Sequence, residues 1–320
     1  MGGGCATQPQ WTGLGREGGG DAHGRGDDSP CPWREIRATF LKKWLKFQTL
    51  GKYSLFLQTM HQIPYSGHLY RTPPRRRSLL ARLFPSLVFY IRLILIVWRA
   101  GRRARRGLYS DQNWVESSLE VLDSLERSGV TVEISGVENL ERLPGPVVFI
   151  GNHMSMMETM VLPAVIQPVV PVTYVVKQSL LEYPVFKYVM RSRNPIAVTR
   201  SNPRQDLKTV LEEGGARLRD GISVIVFPQT TRAQIFDRGQ MSSIGVKLAK
   251  KAGVPVVPIA LKTDSWNNGS LIKDCGRLDT TKTAYFRVGP AMTIAGKGEE
   301  EQEAVCDFIE RSLQEWATKE

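Results

Sequence analysis

Cysteine is scarce in this chain of 320 residues, and its four copies lie far apart. They occur at positions 5, 31, 275 and 306, with no Cys-x-x-Cys pair and no cysteine–histidine spacing of the kind that binds zinc. This scarcity argues against a disulfide scaffold and against a zinc site, and it favours a reducing compartment. No basic stretch near Met1 leads into an apolar run, so we expect no signal peptide.

Acidic side chains are absent from Arg71 to Arg106, although the formal net charge of the whole chain is +12. This segment holds eleven arginines, at positions 71, 75, 76, 77, 82, 92, 99, 102, 103, 105 and 106. They supply nearly all of the net charge. A sequence pI of about 9.7 is compatible with a nucleic-acid-binding protein. Because the charge lies in one apolar segment and no RNP, zinc-finger or OB-like signature is present, we expect no nucleic-acid partner.

Long uninterrupted apolar runs are also missing. The most apolar stretch, Leu79 to Trp98, has a length that suits a membrane span, but Arg82, Pro85 and Arg92 interrupt it. A central arginine costs about 2.5–3.5 kcal/mol on insertion scales. We therefore predict an interfacial or shallowly inserted helix whose arginines contact anionic lipid headgroups on the cytoplasmic face of a membrane. The alternative is a helix packed on the core, with a solvated basic flank.

These patterns divide the chain into three regions. Residues 1–59, rich in Gly, Asp and Pro at their start, are predicted to be a disordered N-terminal extension. Within them the block Thr39 to Leu57 could form a basic amphipathic helix, and Met60 is an alternative natural start. Residues 60–111 form the predicted membrane-associating segment, and residues 112–320 form the predicted catalytic domain.

Short apolar stretches alternate with amphipathic ones in the third region. Strands are predicted at residues 131–134, 147–150, 172–176, 222–227, 254–261 and 284–288. Helices are predicted after Asn113, after His153, and at residues 205–218, 241–252 and 299–318. This alternation is typical of an α/β fold in which a largely parallel sheet is covered by helices on both faces.

Asn152 and His153 follow one of these strands, and Glu158 follows the histidine after four intervening residues. Positions between a strand and a helix commonly carry functional sites in α/β folds. A carboxylate beside an imidazole fixes its tautomer and stabilises the imidazolium. His153 is therefore a candidate base with Glu158 as its carboxylate. This segment alone supports equally well the alternative that His153 caps a helix or lines the core.

Three further segments leave or form predicted strands. Residues 228–232 read Pro-Gln-Thr-Thr-Arg, and their guanidinium suits bidentate binding of a phosphate or carboxylate. Lys177 ends another strand, and Arg200 follows the stretch 194–199. Surface charge is the alternative for Lys177 and Arg200, and a helix cap with a surface salt bridge is the alternative for Arg232. The apolar residues 254–261 either form one wall of a binding site for a hydrophobic ligand or form a plain core strand.

In this order and spacing, the four segments resemble the motifs of the glycerophospholipid acyltransferase family, whose type member is the bacterial 1-acyl-glycerol-3-phosphate acyltransferase. The first family motif, Asn-His and then Asp after four residues, resembles Asn152, His153 and Glu158. The second motif resembles residues 177–200. The third, Phe-Pro-Glu-Gly-Thr-Arg, and the fourth, Val-Pro-apolar-apolar-Pro, resemble residues 227–232 and 254–258. The resemblance covers roughly residues 112–295.

The resemblance implies an O-acyltransferase that associates with membranes through N-terminal helices. It implies that His153, supported by Glu158, acts as general base on a hydroxyl of a lysophospholipid or glycerol-phosphate-like acceptor. The acyl donor would be acyl-CoA or acyl-carrier protein, with no other cofactor and no metal. Arg200 and Arg232 would hold the phosphate of the acceptor. The whole substrate-binding set implied by the resemblance is Asn152, Lys177, Arg200, Gln229, Thr230, Thr231 and Arg232.

The chain departs from the family pattern at two places. Glu158 replaces aspartate, which adds one methylene to the arm that carries the carboxylate. Gln229 and Thr230 replace the family's Glu-Gly, so that a charge is lost and bulk is added. A non-standard lysolipid acceptor and a catalytically inactive, lipid-binding membrane scaffold are therefore alternatives to the main prediction.

Overall fold

The computed structural model of the protein describes residues 63–184, 186–229, 231–270 and 273–319. The predicted extension at residues 1–59, the helix considered within it and the alternative start at Met60 lie outside the described residues. The division of the remainder between residues 60–111 and 112–320 stays a prediction.

Among the described residues, eight strands form one mixed sheet. They are β1 Tyr70–Arg71, β2 Thr131–Ser135, β3 Val148–Gly151, β4 Val172–Lys177, β5 Ile196–Val198, β6 Ser223–Val226, β7 Val256–Lys262 and β8 Thr283–Val288. Their spatial order is β1-β2-β8-β7-β3-β6-β4-β5. The β1–β2 and β7–β8 pairs are antiparallel, and the other five are parallel. The prediction of a largely parallel sheet accompanied by helices is confirmed.

The helices of the described chain occupy the connections between strands and both ends. They are α1 Leu79–Leu83, α2 Pro85–Arg105, α3 Asp111–Ser128, α4 Glu138–Glu141, α5 Met157–Ile166, α6 Phe186–Ser192, α7 Pro203–Thr209, α8 Gly215–Arg219, α9 Ile244–Ala252 and α10 Glu299–Ala317. A π-helical segment, Val210–Gly214, joins α7 to α8. The sequence predicted a single helix at residues 205–218. The structure has helical residues without a break from α7 to α8, but the middle turn is a π-helix, which is wider than an α-helix.

The central strand β3 contributes to a buried cluster on each face of the sheet. Phe149 lies in one cluster with Leu162 of α5, whereas Val148 and Ile150 lie in the other with Leu248 of α9. Successive side chains of a strand point to opposite faces, so a strand covered on both faces is apolar throughout. This is the physical reason why the short apolar runs of the sequence predicted the strands.

Helix α2 begins at the proline that interrupts the apolar stretch of the sequence. Pro85 occupies the first helical position, where its missing N–H would have no partner within the helix. Phe84 ends α1, and α2 then continues through the arginines to Arg105, beyond the predicted end at Trp98. Arginine is a good helix former, which is consistent with this extension.

The two faces of α2 have different surroundings. Its inner face is buried against the core through residues 89, 93, 96 and 100. Its outer face exposes Leu87, Ile91, Ile94, Leu95 and Trp98. The alternative of a core-packed helix thus describes the inner face, and the predicted lipid contact concerns the outer face. Within the described residues, none of the helices combines the length and apolarity needed to cross a membrane.

Candidate active site

The candidate site lies where three adjacent strands reach the same edge of the sheet. In the parallel register, Ile150 of β3 pairs with Val226 of β6, and Gly151 pairs with Ile259 of β7. The residues that follow β3, β6 and β7 therefore meet at one edge. This edge is the usual position of ligand sites in parallel α/β sheets.

Asn152 joins the end of β3 to β7. Its Nδ2 donates to the carbonyl oxygen of Leu261 at 2.7 Å, and the Leu261 N–H donates to Asn152 Oδ1 at 2.9 Å. The side chain is 1% exposed. Both polar ends of the amide thus bind the protein itself. The amide therefore fixes the end of β3, next to His153, to β7, and the substrate-binding role of Asn152 stays a prediction.

Asn152→Ala is expected to lower the free energy of unfolding by about 2–3 kcal/mol, because two buried backbone groups of Leu261 lose their partners. Asn152→Asp keeps an acceptor for the Leu261 N–H but sets a carboxylate oxygen against the Leu261 carbonyl oxygen, so it is also expected to lower the free energy of unfolding. Urea denaturation of the three proteins measures the effect. Equal stability of Asn152→Ala and the wild type would show that the two hydrogen bonds to Leu261 do not stabilise the fold.

The imidazole of His153 is held between two strand ends. Its ring stacks on Phe227, with centroids 4.6 Å apart and planes 11° apart. The His153 N–H donates to Gln229 Oε1 at 2.5 Å, and its carbonyl oxygen accepts from the Ala233 N–H at 3.0 Å. The side chain keeps 14% exposure. His153 does not cap α5, because that helix starts at Met157.

Glu158 is fully buried in the first turn of α5, where the helix dipole favours a negative charge. Its Oε1 accepts from the N–H groups of Met154 and Ser155 at 2.8 and 2.9 Å and from the Thr263 hydroxyl at 2.5 Å. Its Oε2 lies 3.1 Å from the Ser155 nitrogen and 3.3 Å from His153 Nδ1. The structure therefore brings the predicted pair together.

His153 and Glu158 lie close together without a well-aligned hydrogen bond between them. Among the described residues, His153 Nδ1 has no hydrogen-bond partner, although it lies 3.3 Å from Glu158 Oε2. Catalytic hydrogen bonds often become aligned only in the complex with substrate, so this geometry is compatible with a catalytic pair. Because Nδ1 faces the carboxylate, Nε2 on the opposite side of the ring is the atom available for proton transfer.

Tyr174 of β4 lies near Phe227 and Glu158, although the sequence patterns did not indicate it as a site residue. Its ring centroid is 6.2 Å from that of Phe227, and its hydroxyl has no hydrogen-bond partner in the described part of the chain. Burial raises the pKa of Tyr174 well above its usual value, and the nearby negative charge of Glu158 raises it further. The phenol therefore stays neutral.

Gln229 sits directly under the histidine backbone and is almost fully buried. Its Oε1 accepts the His153 N–H, a bond that a glutamate could also accept. Its Nε2 has no partner among the residues that the structure describes. The substitution thus keeps the bond to His153 and adds two amide protons. Thr230, the second departure from the family pattern, lies outside the described residues.

Arg200 and Arg232 lie near each other. Burial lowers the pKa of Arg200; the negative charge of Asp206 acts in the opposite direction, and the positive charge of Arg232 lowers it further. Asp206 also accepts from the backbone N–H of Arg200 at 2.7 Å and so holds that residue at a left-handed φ of 62°. Arg232 forms an ion pair with Asp274. The two guanidinium groups are thus close enough for the charge of one to affect the pKa of the other.

Two further predicted site residues, Thr231 and Lys177, are exposed. Thr231 is exposed, and its hydroxyl accepts from Lys273 at 2.5 Å. Lys177 ends β4 with an exposed side chain. No hydrogen bond or ion pair within the described residues joins Lys177 to the others. Its substrate-binding role stays a prediction, as do the roles assigned to the other polar residues.

Sequence reasoning missed several polar residues that hold the site together: Ser155, Asp206, Thr263 and Asp274. Thr263 could have been predicted from the sequence, because it directly follows the apolar strand β7 and so lies at the same edge of the sheet as His153. Asp274 could not have been predicted, since it lies in the long connection between β7 and β8, where no sequence pattern marks it.

Comparison with known proteins gives a consistent result. A family model described as Acyltransferase matches residues 131–262. The 1-acyl-sn-glycerol-3-phosphate acyltransferase of Pseudomonas aeruginosa is 32% identical over 187 residues, which cover 58% of this chain and 68% of that protein. The chloroplastic 1-acyl-sn-glycerol-3-phosphate acyltransferase BAT2 of Brassica napus is 30% identical over 132 residues, which cover 40% of this chain and 36% of that protein.

A solved structure agrees with the fold. The crystal structure of the 1-acyl-sn-glycerophosphate (LPA) acyltransferase PlsC from Thermotoga maritima matches 73% of this chain and 95% of its own, with a TM-score of 0.52 and 19% identity. At this identity the likeness concerns the fold alone. Given the identity to the Pseudomonas aeruginosa relative over two thirds of its length, the chain belongs to the glycerophospholipid acyltransferase family, a family of O-acyltransferases.

Proposed function

We propose that the protein moves a fatty acyl group from an acyl thioester to a hydroxyl of 1-acylglycerol-3-phosphate or a similar lysophospholipid. The observation that carries the proposal is the placement of His153 Nδ1 3.3 Å from the buried carboxylate of Glu158 at the carboxyl edge of the sheet. The name of the relative from Pseudomonas aeruginosa supports the acceptor class. Acyl-CoA and acyl-carrier protein are the two donor forms.

The proposed reaction is a direct transfer. His153 Nε2 takes the proton of the acceptor hydroxyl while that oxygen attacks the thioester carbonyl. The carbon–sulfur bond then breaks, and the imidazolium returns its proton to the leaving thiolate. The products are a carboxylic ester and a free thiol. Glu158 stabilises the imidazolium between the two proton transfers, as the acid of a catalytic triad does. No acyl-enzyme is required.

Arg200 and Arg232 supply the positive charge that would hold the phosphate of the acceptor. Planar guanidinium groups bind phosphate oxygens in pairs, which fixes orientation as well as charge. Because Arg232 pairs with Asp274, a bound phosphate would compete with this carboxylate for the guanidinium. Gln229 removes one negative charge from the site relative to the family pattern, which is compatible with an anionic acceptor.

We also propose that α2 binds the cytoplasmic face of a membrane and so gives the site access to its lipid substrate. The apolar outer face of α2 is continuous with a run of exposed arginines at its carboxyl end, at positions 99, 102, 103, 105 and 106. This arrangement suits an interfacial helix with its apolar face in the acyl region and its cations at anionic headgroups.

Aspartate at both Ile91 and Ile94 is expected to lower binding to anionic phosphatidylglycerol vesicles by about tenfold or more, because each apolar side chain contributes about 1.5–3 kcal/mol when buried. Both residues are more than half exposed, so folding is expected to be unaffected. Co-sedimentation measures binding. Val169→Asp changes an exposed apolar residue elsewhere and is the control. An equal loss of vesicle binding by Val169→Asp would contradict the proposal that α2 is the membrane-binding element.

Incubation of the purified protein with labelled acyl-CoA or acyl-carrier protein and a panel of lysophospholipids tests the function. Formation of a diacyl product from 1-acylglycerol-3-phosphate is the expected result. Absence of product with both donors and every acceptor, despite vesicle binding, would contradict the proposal and favour the inactive lipid-binding scaffold.

A further inference from the structure

A hydroxyl from a different strand holds the carboxylate of Glu158. Thr263 follows β7 directly and is fully buried. Its Oγ1 donates to Glu158 Oε1 at 2.5 Å, across 105 positions of the chain. Hydrogen bonds to an ionised group in a buried site are among the stronger ones in proteins. The contact therefore ties the first turn of α5 to the end of β7 at the candidate base.

The hydrogen bonds around Thr263 have a fixed direction. Ser155 Oγ accepts from the Met157 N–H at 3.0 Å and lies 3.0 Å from Thr263 Oγ1. An ionised carboxylate can only accept, so the single proton of Thr263 goes to Glu158. The proton of Ser155 must then go to Thr263. The result is a directed chain in which each bond polarises and strengthens the next.

The two oxygens of Glu158 have different partners. Oε1 receives three donors, two backbone N–H groups and the Thr263 hydroxyl. Oε2 receives the Ser155 N–H at 3.1 Å and faces His153 Nδ1. With Oε1 bound by the protein, Oε2 is the oxygen directed at the imidazole. Glutamate has one more rotatable bond than aspartate, so its carboxylate needs a stronger restraint to keep this orientation.

We propose that Thr263 is a positioning residue for the acyl-transfer reaction, and that its hydroxyl keeps Glu158 Oε2 on His153. The inference rests on the proposed function, because it assumes that His153 acts as the base. Thr263 touches neither reacting group and acts through Glu158. Its loss therefore affects turnover and leaves acceptor binding unchanged.

Thr263→Val keeps the shape of the side chain and removes the hydroxyl. We expect kcat to fall by about 10- to 100-fold, as for the loss of a hydrogen bond to a charged group, with KM for the acceptor changed by less than about twofold. Thr263→Ser keeps the hydroxyl and is expected to retain kcat within about threefold of the wild type. Steady-state kinetics with acyl-CoA and 1-acylglycerol-3-phosphate measure both constants.

Ser265→Ala is the matched control for this experiment. Ser265 lies two residues along the same segment and is equally buried, but its hydroxyl has no partner among the described residues. We expect wild-type kinetics from this variant. Ser155→Ala, which removes the donor to Thr263, is a second variant and is expected to lower kcat several-fold. It keeps the inference testable if Thr263→Val does not fold, as judged by thermal unfolding.

Two results would overturn the inference. One is a turnover of Thr263→Val, or of Ser155→Ala if the former is unfolded, equal to that of Ser265→Ala. The other is a Thr263→Ser variant as slow as Thr263→Val. Either result leaves the proposed function standing if His153→Ala abolishes transfer in the same assay. An unaffected His153→Ala variant would instead remove the proposed function.

Discussion

Alanine in place of His153 is expected to lower kcat by about 10²–10⁴-fold, the usual contribution of a general base. The reason is that the acceptor atoms nearest the ring already receive hydrogen bonds from the protein, including Glu158 Oε2, which accepts from the Ser155 N–H at 3.1 Å. Glu158 Oε1 has three protein donors, and Gln229 Oε1 accepts from the backbone of residue 153. Without the imidazole, no neighbouring group of this set replaces Nε2 as proton acceptor for the attacking hydroxyl.

The structure also predicts that this variant folds. The imidazole stacks on Phe227 and keeps some exposure, and the backbone bonds of residue 153 do not depend on the side chain. KM for the acceptor is therefore expected to stay close to that of the wild type. His68→Ala, at an exposed histidine, is the control and should be fully active. Retention of more than about a tenth of wild-type kcat by His153→Ala would be inconsistent with a general base.

Replacement of Arg232 by alanine is expected to raise KM for 1-acylglycerol-3-phosphate by about 10- to 100-fold, as for the loss of a charge-assisted pair of hydrogen bonds. Arg232 is mostly buried and lies close to Arg200, so solvent screens its charge poorly. Without Arg232, the carboxylate of Asp274 also loses its partner and repels an incoming phosphate. Both effects act on acceptor binding.

The choice of acceptor separates this effect from general damage to the site. A 1-monoacylglycerol carries the same 2-hydroxyl but has a free hydroxyl in place of the phosphate, so the Arg232→Ala variant and the wild type should use it with similar KM. Arg219→Ala, at an exposed arginine of α8, is the control and should leave both acceptors unaffected. An equal rise in KM for the two acceptors would show that Arg232 does not bind the phosphate.

The sheet could be predicted from the sequence because its central strands are buried on both faces. Such strands are short apolar runs, and β3, β6 and β7 have this form. Strand β1 was not predicted, and neither were the bounds of β5, because two and three residues carry no periodicity. Contacts between residues far apart in sequence support the pairing of β1 with β2. The hydroxyls of Tyr70 and Thr72 both donate to the buried carboxylate of Glu126.

The candidate site was predictable where it depends on local order along the chain. His153 and Glu158 are close in sequence, and the turn between β3 and α5 brings them together. Thr263 reaches Glu158 across the sheet, and Asp274 reaches Arg232 across a long connection. Such contacts depend on the strand order β7-β3-β6, which no local pattern contains. The positions of Lys177 and Asn152 likewise became clear only from the fold.

The most direct test of the central claim is a measurement of free thiol and ester product together, with and without acceptor. For a direct transfer in which His153 is the base, we expect one ester for each thiol, no release of thiol before acceptor is added, and loss of both products in His153→Ala. A burst of thiol equal to the enzyme concentration in the absence of acceptor, or thiol release that persists in His153→Ala, would contradict the account.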